Sequence, residues 1–259
     1  MLSTRSLLVR GMLVGLAAGA AAYLFATVFG EGPVGQAIDF ESAQAAAHTH
    51  AAAAAHPHGE ASEPELVSRT VQSTVGLATA ALVYGVALGG LFALAFAIAY
   101  GRIGRFNPRA TAALVALGGF VTVALVPFLK YPANPPATGN PDTLGQRTGL
   151  YFLMIVIAVG TGLLAVNLGR WLNPRYGAWT ATLMAIAAYV VLIGVIQTAL
   201  PTISEVPDGF PALVLWKFRL ASLGTQLVTW TTLGLLFGAL TERSLRTRSA
   251  PAARPTVTA

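Results

Sequence analysis

The stretch TVQSTVGLATAALVYGVALGGLFALAFAIAYG, Thr70–Gly101, lies between Arg69 and Arg102 and carries no charged side chain. Rising about 1.5 Å per residue as a helix, it is long enough to cross the ~30 Å hydrocarbon layer of a bilayer. Five more windows read the same way: Gly11–Gly30, Ala110–Leu129, Thr148–Gly169, Tyr176–Ser204 and Leu220–Thr241, each uncharged and at least 20 residues long. One such window alone could be a buried helix of a soluble protein; six in succession could not. They lack the alternation of barrel strands, and a helix satisfies its own backbone in lipid. The sequence therefore predicts an all-α, polytopic membrane protein. Its six transmembrane helices are expected at about 11–30, 72–99, 110–129, 148–169, 177–200 and 220–241.

Composition agrees. The chain is 55% hydrophobic and 10% charged, against roughly 25% charged in soluble domains. It has no Cys, which excludes a disulfide frame and a thiolate metal site. The net charge of +6 does not point to nucleic acid, because the basic residues are scattered between apolar blocks rather than gathered on one face. No P-loop, Gly-x-Ser-x-Gly or His-Glu-x-x-His motif is present, so neither ATP binding by a P-loop nor hydrolase chemistry has support, and the chain is not read as an enzyme. No Asp, Glu or His falls inside a window, which gives a buried proton relay no material.

Direction follows from Lys and Arg. With the N-terminus inside, 11 of the 16 basic residues, among them Arg102, Arg105, Arg109, Arg170, Arg175 and Arg243, fall on the inner side and 5 on the outer. Of the 10 acids only Glu242 falls inside. The expectation is a multi-pass protein of the cytoplasmic membrane with both termini cytoplasmic. Residues 243–259 read as a basic, disordered cytoplasmic tail resting on anionic lipid. Arg5 and Arg10 before an apolar run also suit a signal peptide, but Tyr23, Phe25 and Phe29 carry the run to a natural end, so an uncleaved first span is favoured.

Two segments resemble each other: GRIGRFNPRATAALVALGGF from Gly101 and GRWLNPRYGAWTATLMAIAAY from Gly169. In both, Asn-Pro suits an N-cap and first helical position, at Asn107-Pro108 and Asn173-Pro174. An internal repeat of helix hairpins, 101–121 matching 169–189, stands level with convergence on a good turn. Gly11-x-x-x-Gly15-x-x-x-Gly19, Gly85-x-x-x-Gly89 and Gly234-x-x-x-Gly238 are spaced for close helix approach, within the chain or to a separate subunit.

All four histidines fall within HTHAAAAAHPH, His48–His58, inside the segment 31–69 expected as an outer loop. In extended chain a His-x-His pair turns both imidazoles to one side, and Pro57 keeps the second pair from being helical. His48, His50, His56 and His58, with Glu60 adding an oxygen, are the candidate metal ligands; neutral imidazole suits divalent Co, Ni, Cu and Zn. A loop that must order to close on an ion binds it weakly and exchangeably. The competing reading is a low-complexity tether without specific chemistry. On the last window Ser222, Gln226 and Thr229 continue a stripe from Arg219 at helical spacing, a candidate pathway lining or an interhelical hydrogen-bonding face. At the outer rim Lys130, Arg147, Lys217 and Arg219 would repel a divalent cation unless Asp142, Glu205 and Asp208 neutralise them; Asp142, Arg147 and Arg219 are the candidate ion-pair residues. Asp142 or Thr143 is expected to cap the fourth span.

The N-terminal span followed by a His-bearing outer loop, together with PFLKYPANPPATGNPDTLGQRTGLY and FPALVLWKFRLASLGTQLVTW, resembles the CbtA proteins, proposed cobalt transporter subunits, over nearly the whole chain to about Arg243. The resemblance implies a permease component for uptake of cobalt or a similar divalent metal. Co²⁺ would then be cargo rather than a permanently bound cofactor. The partners implied are the lipid bilayer and a small single-span CbtB-like subunit. A permease for another solute, and a non-transporting membrane accessory or scaffold subunit, are the alternatives.

Overall fold

The computed structural model describes residues 3–53, 68–136 and 138–249. Among these residues it is helical, with no strand. The helices are α1 (Thr4–Phe29), α2 (Glu31–Ala53), α3 (Arg69–Ala99), α4 (Pro108–Lys130), α5 (Leu144–Ala199) and α6 (Ala212–Ser249). Five of them, all but α2, are long and apolar enough to cross a membrane. The fourth and fifth expected spans are thus carried by one helical run.

That run is 56 residues, about 84 Å if straight and nearly three times the ~30 Å of a bilayer core. It is not straight. Gly177 adopts φ 76°, ψ 162°, a region that costs a glycine little and an L side chain much. The two arms then fold back on each other. A Cβ added at Gly169 would touch Ala185 Cβ at 3.4 Å, one at Gly162 would lie 3.8 Å from the Tyr189 ring, and Met154 and Ala158 share a buried cluster with Ile193. Partners ever farther apart in sequence on either side of the break define an antiparallel hairpin. The Asn173-Pro174 cap expected here is absent, because Gly177 turns the chain and Pro174 lies within the helical run. The matching site is as expected: Asn107 Oδ1 accepts from the Ala110 N–H at 2.8 Å, and Pro108 opens α4. The two similarly written segments therefore differ in conformation, an open turn with positive φ at Gly101 and Gly104 in one and continuous helix up to Gly177 in the other.

Contacts gather into two compact units. The first takes in residues 3–22, 78–117 and 228–249. Here the glycine motifs pack backbone on backbone. A Cβ on Gly15 would meet Gly85 C at 2.9 Å and Gly89 Cα at 3.0 Å, and one on Gly19 would meet Ala81 C at 3.0 Å. The stripe on α1 is therefore spent on α3 of the same chain rather than left for another subunit. Gly234 and Gly238 on α6 meet α4 at Ala116, Ala112 and Arg109 in the same manner. Phe92, Phe96 and Phe237 fill the core edge to face at 5.0–5.3 Å. Beside it Arg10 donates to Thr241 (3.1 Å), and Glu242 takes Arg109 (2.6 Å) and Arg246. The helix carrying them runs to Ser249, so 243–249 is ordered where a disordered tail was expected. Four-residue spacing of Glu242 and Arg246 supports that last stretch.

The second unit spans the described parts of 23–77 and 118–227. It contains the α5 hairpin and most of the segment expected as a loop. Residues 31–53 of that segment are helical. The reason is the alanine run, which reads as low complexity yet is the strongest helix former. Ala37 and Phe40 of α2 pack on Phe210 and Val214 at the start of α6, with Phe40 and Phe210 edge to face at 5.0 Å. Glu31 pairs with Arg69 at 2.5 Å, closing the segment at its base. Within α4 the helix widens into a π turn over Phe120–Leu125 just before Pro127. A proline there has no N–H to donate back one turn, and Gln197 of α5 donates to the Val126 carbonyl at 3.0 Å.

Candidate functional site

The second unit's polar groups cluster where 131–143, rich in proline, meets 200–211. Prolines deny both loops regular helix and leave their carbonyls to be satisfied by side chains. Lys130 donates to Thr202 (3.1 Å) and the Tyr131 hydroxyl to the Pro201 carbonyl (3.0 Å). Buried Thr138 donates to the Pro135 carbonyl (2.7 Å), and Asn140 Oδ1 accepts from the Asp142 N–H (3.0 Å). Arg219, two turns into α6, reaches back to the Ala133 carbonyl (3.3 Å) and to Asn134 Oδ1 (3.0 Å).

Glu205 is the hub. Its carboxylate, 11% exposed, receives Arg147 Nε at 3.2 Å, the Asn140 N–H at 3.1 Å and the Thr143 hydroxyl. The Thr143 hydroxyl first, and the Asn140 N–H and Arg147 charge after it, hold this carboxyl below its ordinary range against the opposing effect of burial. The sequence names Glu205 among three acids for the rim; the structure gives it the work that Asp142 was expected to share. Among the described residues Asp142 is in no ion pair, since its backbone is turned onto Asn140. Thr143 does occupy the N-cap position of α5, yet its hydroxyl serves Glu205 rather than the helix end. Arg219 is likewise held by neutral acceptors and not by a carboxylate.

These groups border an open cavity of about 630 Å³. Arg147, Thr148 and Tyr151 of α5 line it, with Glu205, Asn134, and Arg219, Ser222 and Gln226 of α6; Phe128 and Leu223 supply apolar wall. Two of the three expected pathway side chains are thus brought together. Thr229, one turn on, is 1% exposed and outside the lining. Asn134 and Asn140 escaped the sequence reading, and Thr143 was expected only as a helix cap, although asparagines and a threonine among prolines are the residues that pin such loops.

The expected metal ligands stand apart. The backbone of His48 and His50 is helical within α2, where extended chain was expected. Their side chains, and His56, His58 and Glu60 entirely, lie outside the described residues. Among the described residues no three His, Asp or Glu side chains gather as a metal site would require. The cavity's charge also matters: at an effective dielectric of ~20, a divalent cation ~6 Å from one uncompensated guanidinium is repelled by about 5 kcal/mol.

Long apolar helices, a helical hairpin and glycine-stitched packing define a multi-pass helical membrane protein. The chain belongs to the CbtA family, whose model, described as "Probable cobalt transporter subunit (CbtA)", matches residues 4–242. The match takes in four candidate spans whole and the fifth up to residue 242. No curated protein and no solved structure matches the chain.

Proposed function

We propose that this chain is the permease component for inward movement of Co²⁺ or a chemically similar divalent metal. The observation that carries the reading is the family match across residues 4–242, which joins cobalt transport to the membrane helices. In this reading the α5 run makes two crossings, six in all, with both termini cytoplasmic. The excess of Arg at the inner turns supports that direction. The cavity then opens to the extracytoplasmic side. Ser222 and Gln226 line the start of the path and Thr229 continues it. His48, His50, His56 and His58, with Glu60, concentrate the ion near the bundle by weak, exchangeable ligation. A small single-span subunit of the CbtB kind completes the transporter.

The test is uptake of radioactive cobalt by cells expressing the chain with and without the single-span subunit. Uptake several-fold above the empty-vector control at limiting cobalt is expected, and uptake no greater than control with both subunits present overturns the proposal. Deleting 48–58 should depress uptake at limiting cobalt and spare it at high cobalt. Equal uptake at limiting cobalt removes the capture role alone.

A further inference from the structure

We propose that the cavity beside Arg219 binds a small polycarboxylate anion, free or carrying a divalent metal ion. Three charged side chains border the cavity: Arg147, Glu205 and Arg219. Arg147 and Glu205 are paired with each other at 3.2 Å, and the remaining valence of Glu205 is taken by Thr143 and the Asn140 N–H. The charge of Glu205 is therefore already matched by Arg147, and most of its acceptor capacity is taken. Arg219 is different. Its guanidinium donates only to a backbone carbonyl and an amide oxygen, both neutral, and among the described residues no carboxylate lies within ion-pair distance. Two such contacts leave part of its five-donor fork unused.

Geometry gives the site its chemistry. A guanidinium fork matches a carboxylate with two parallel hydrogen bonds, which a point charge cannot do. Ser222 and Gln226 follow Arg219 at positions three and seven residues on, one face of one helix, and both line the cavity. They supply a hydroxyl and an amide for a second carboxylate or an alcohol oxygen. The apolar wall at Phe128 raises the worth of each polar contact by lowering the local dielectric. About 630 Å³ falls within the range of small-molecule sites and exceeds what one hydrated ion needs. A bare divalent cation finds the wrong sign here. A chelate with net negative charge finds the right one and carries the metal with it. The metal-carrying form rests on the uptake reading above; carboxylate binding does not.

The experiment is calorimetric titration of the purified full chain in lipid nanodiscs with citrate, with equimolar cobalt–citrate, and with cobalt chloride. Saturable binding of citrate or of its cobalt complex is expected, weakened at least tenfold by Arg219→Gln. Because Arg219 also pins Ala133 and Asn134, a second variant keeps it in place. Ser222→Asp sets a carboxylate one turn away to pair with the guanidinium, and should weaken binding as strongly. Asn107→Ala, in the first unit and outside the cavity lining, should leave binding intact. Equal affinity for citrate and cobalt–citrate makes the carboxylate itself the recognised group; binding of the complex alone makes the chelate the cargo. No binding of either by the wild-type chain, or unchanged binding by both Arg219→Gln and Ser222→Asp, overturns the proposal. Citrate binding without any cobalt uptake in cells would remove the permease reading and leave this one standing.

Discussion

The two units of this molecule are held by opposite means. In the first, glycine and alanine bring helix backbones into contact, and Phe92, Phe96 and Phe237 close what remains. In the second, a carboxylate, two arginines and several carbonyls tie proline-bound loops around an open cavity. Close packing leaves no room for a solute and tolerates no added atom. Polar clamping leaves room, and depends on which groups are ionised. A transport path needs the second kind of construction.

This contrast can be broken most forcefully in the first unit. Gly15→Leu drives a branched side chain into the backbone of Gly85, and overpacking of that kind costs about 3 kcal/mol or more. Thermal unfolding of the detergent-solubilised protein should show a large fall in Tm, or no recoverable folded protein; an unchanged Tm would mean the helices are not in backbone contact.

The second unit should respond to acid instead. Glu205 titrates below its unfolded value, so its contribution is in force above the ordinary carboxylate pKa of about 4.3 and is lost as pH falls through the lower folded value. Amide protection of 131–143 and 200–211, corrected for the intrinsic exchange rate at each pH, should therefore fall on acidification in the wild type. Glu205→Gln should exchange fast at neutral pH and lose that acid dependence.

Smaller effects sharpen the picture. Asn107→Ala removes the cap on Ala110 N–H and should cost about 1 kcal/mol, read as a modest fall in Tm. Asp142→Ala should change stability by less than about 0.5 kcal/mol, because among the described residues no ion pair depends on its carboxylate. A large drop in Tm would restore Asp142 to the clamp in place of Glu205.

The apolar windows made the helices legible because hydrocarbon thickness imposes a length that few other structures need. The glycine spacing was legible too, though not its partner; only packing could show that α1 spends its stripe on α3. Three features escaped for distinct reasons. Alanine in 43–53 signals both low complexity and helix, and composition alone does not rank them. Asn173-Pro174 repeats a capping text, yet Gly177 offered a cheaper turn nearby. At the site, Arg147, Arg219, Ser222 and Gln226 were visible as polar residues out of place in an apolar setting. Their partners Asn134 and Asn140 were not, and Thr143 was visible as a cap but not as a partner of Glu205, since a loop residue shows its bond only once the chain has brought a distant group to it.

The conformation of Gly177 has a consequence for parity. Each reversal of a chain in a bilayer exchanges the two compartments for everything downstream. In the six-crossing reading proposed above, a side chain that opposed the positive φ would disfavour the fold-back of α5, on which the sidedness of α6 depends. In that reading the ion pair of Glu242 with Arg109 presupposes, some 65 residues upstream, one backbone angle that only glycine takes without strain.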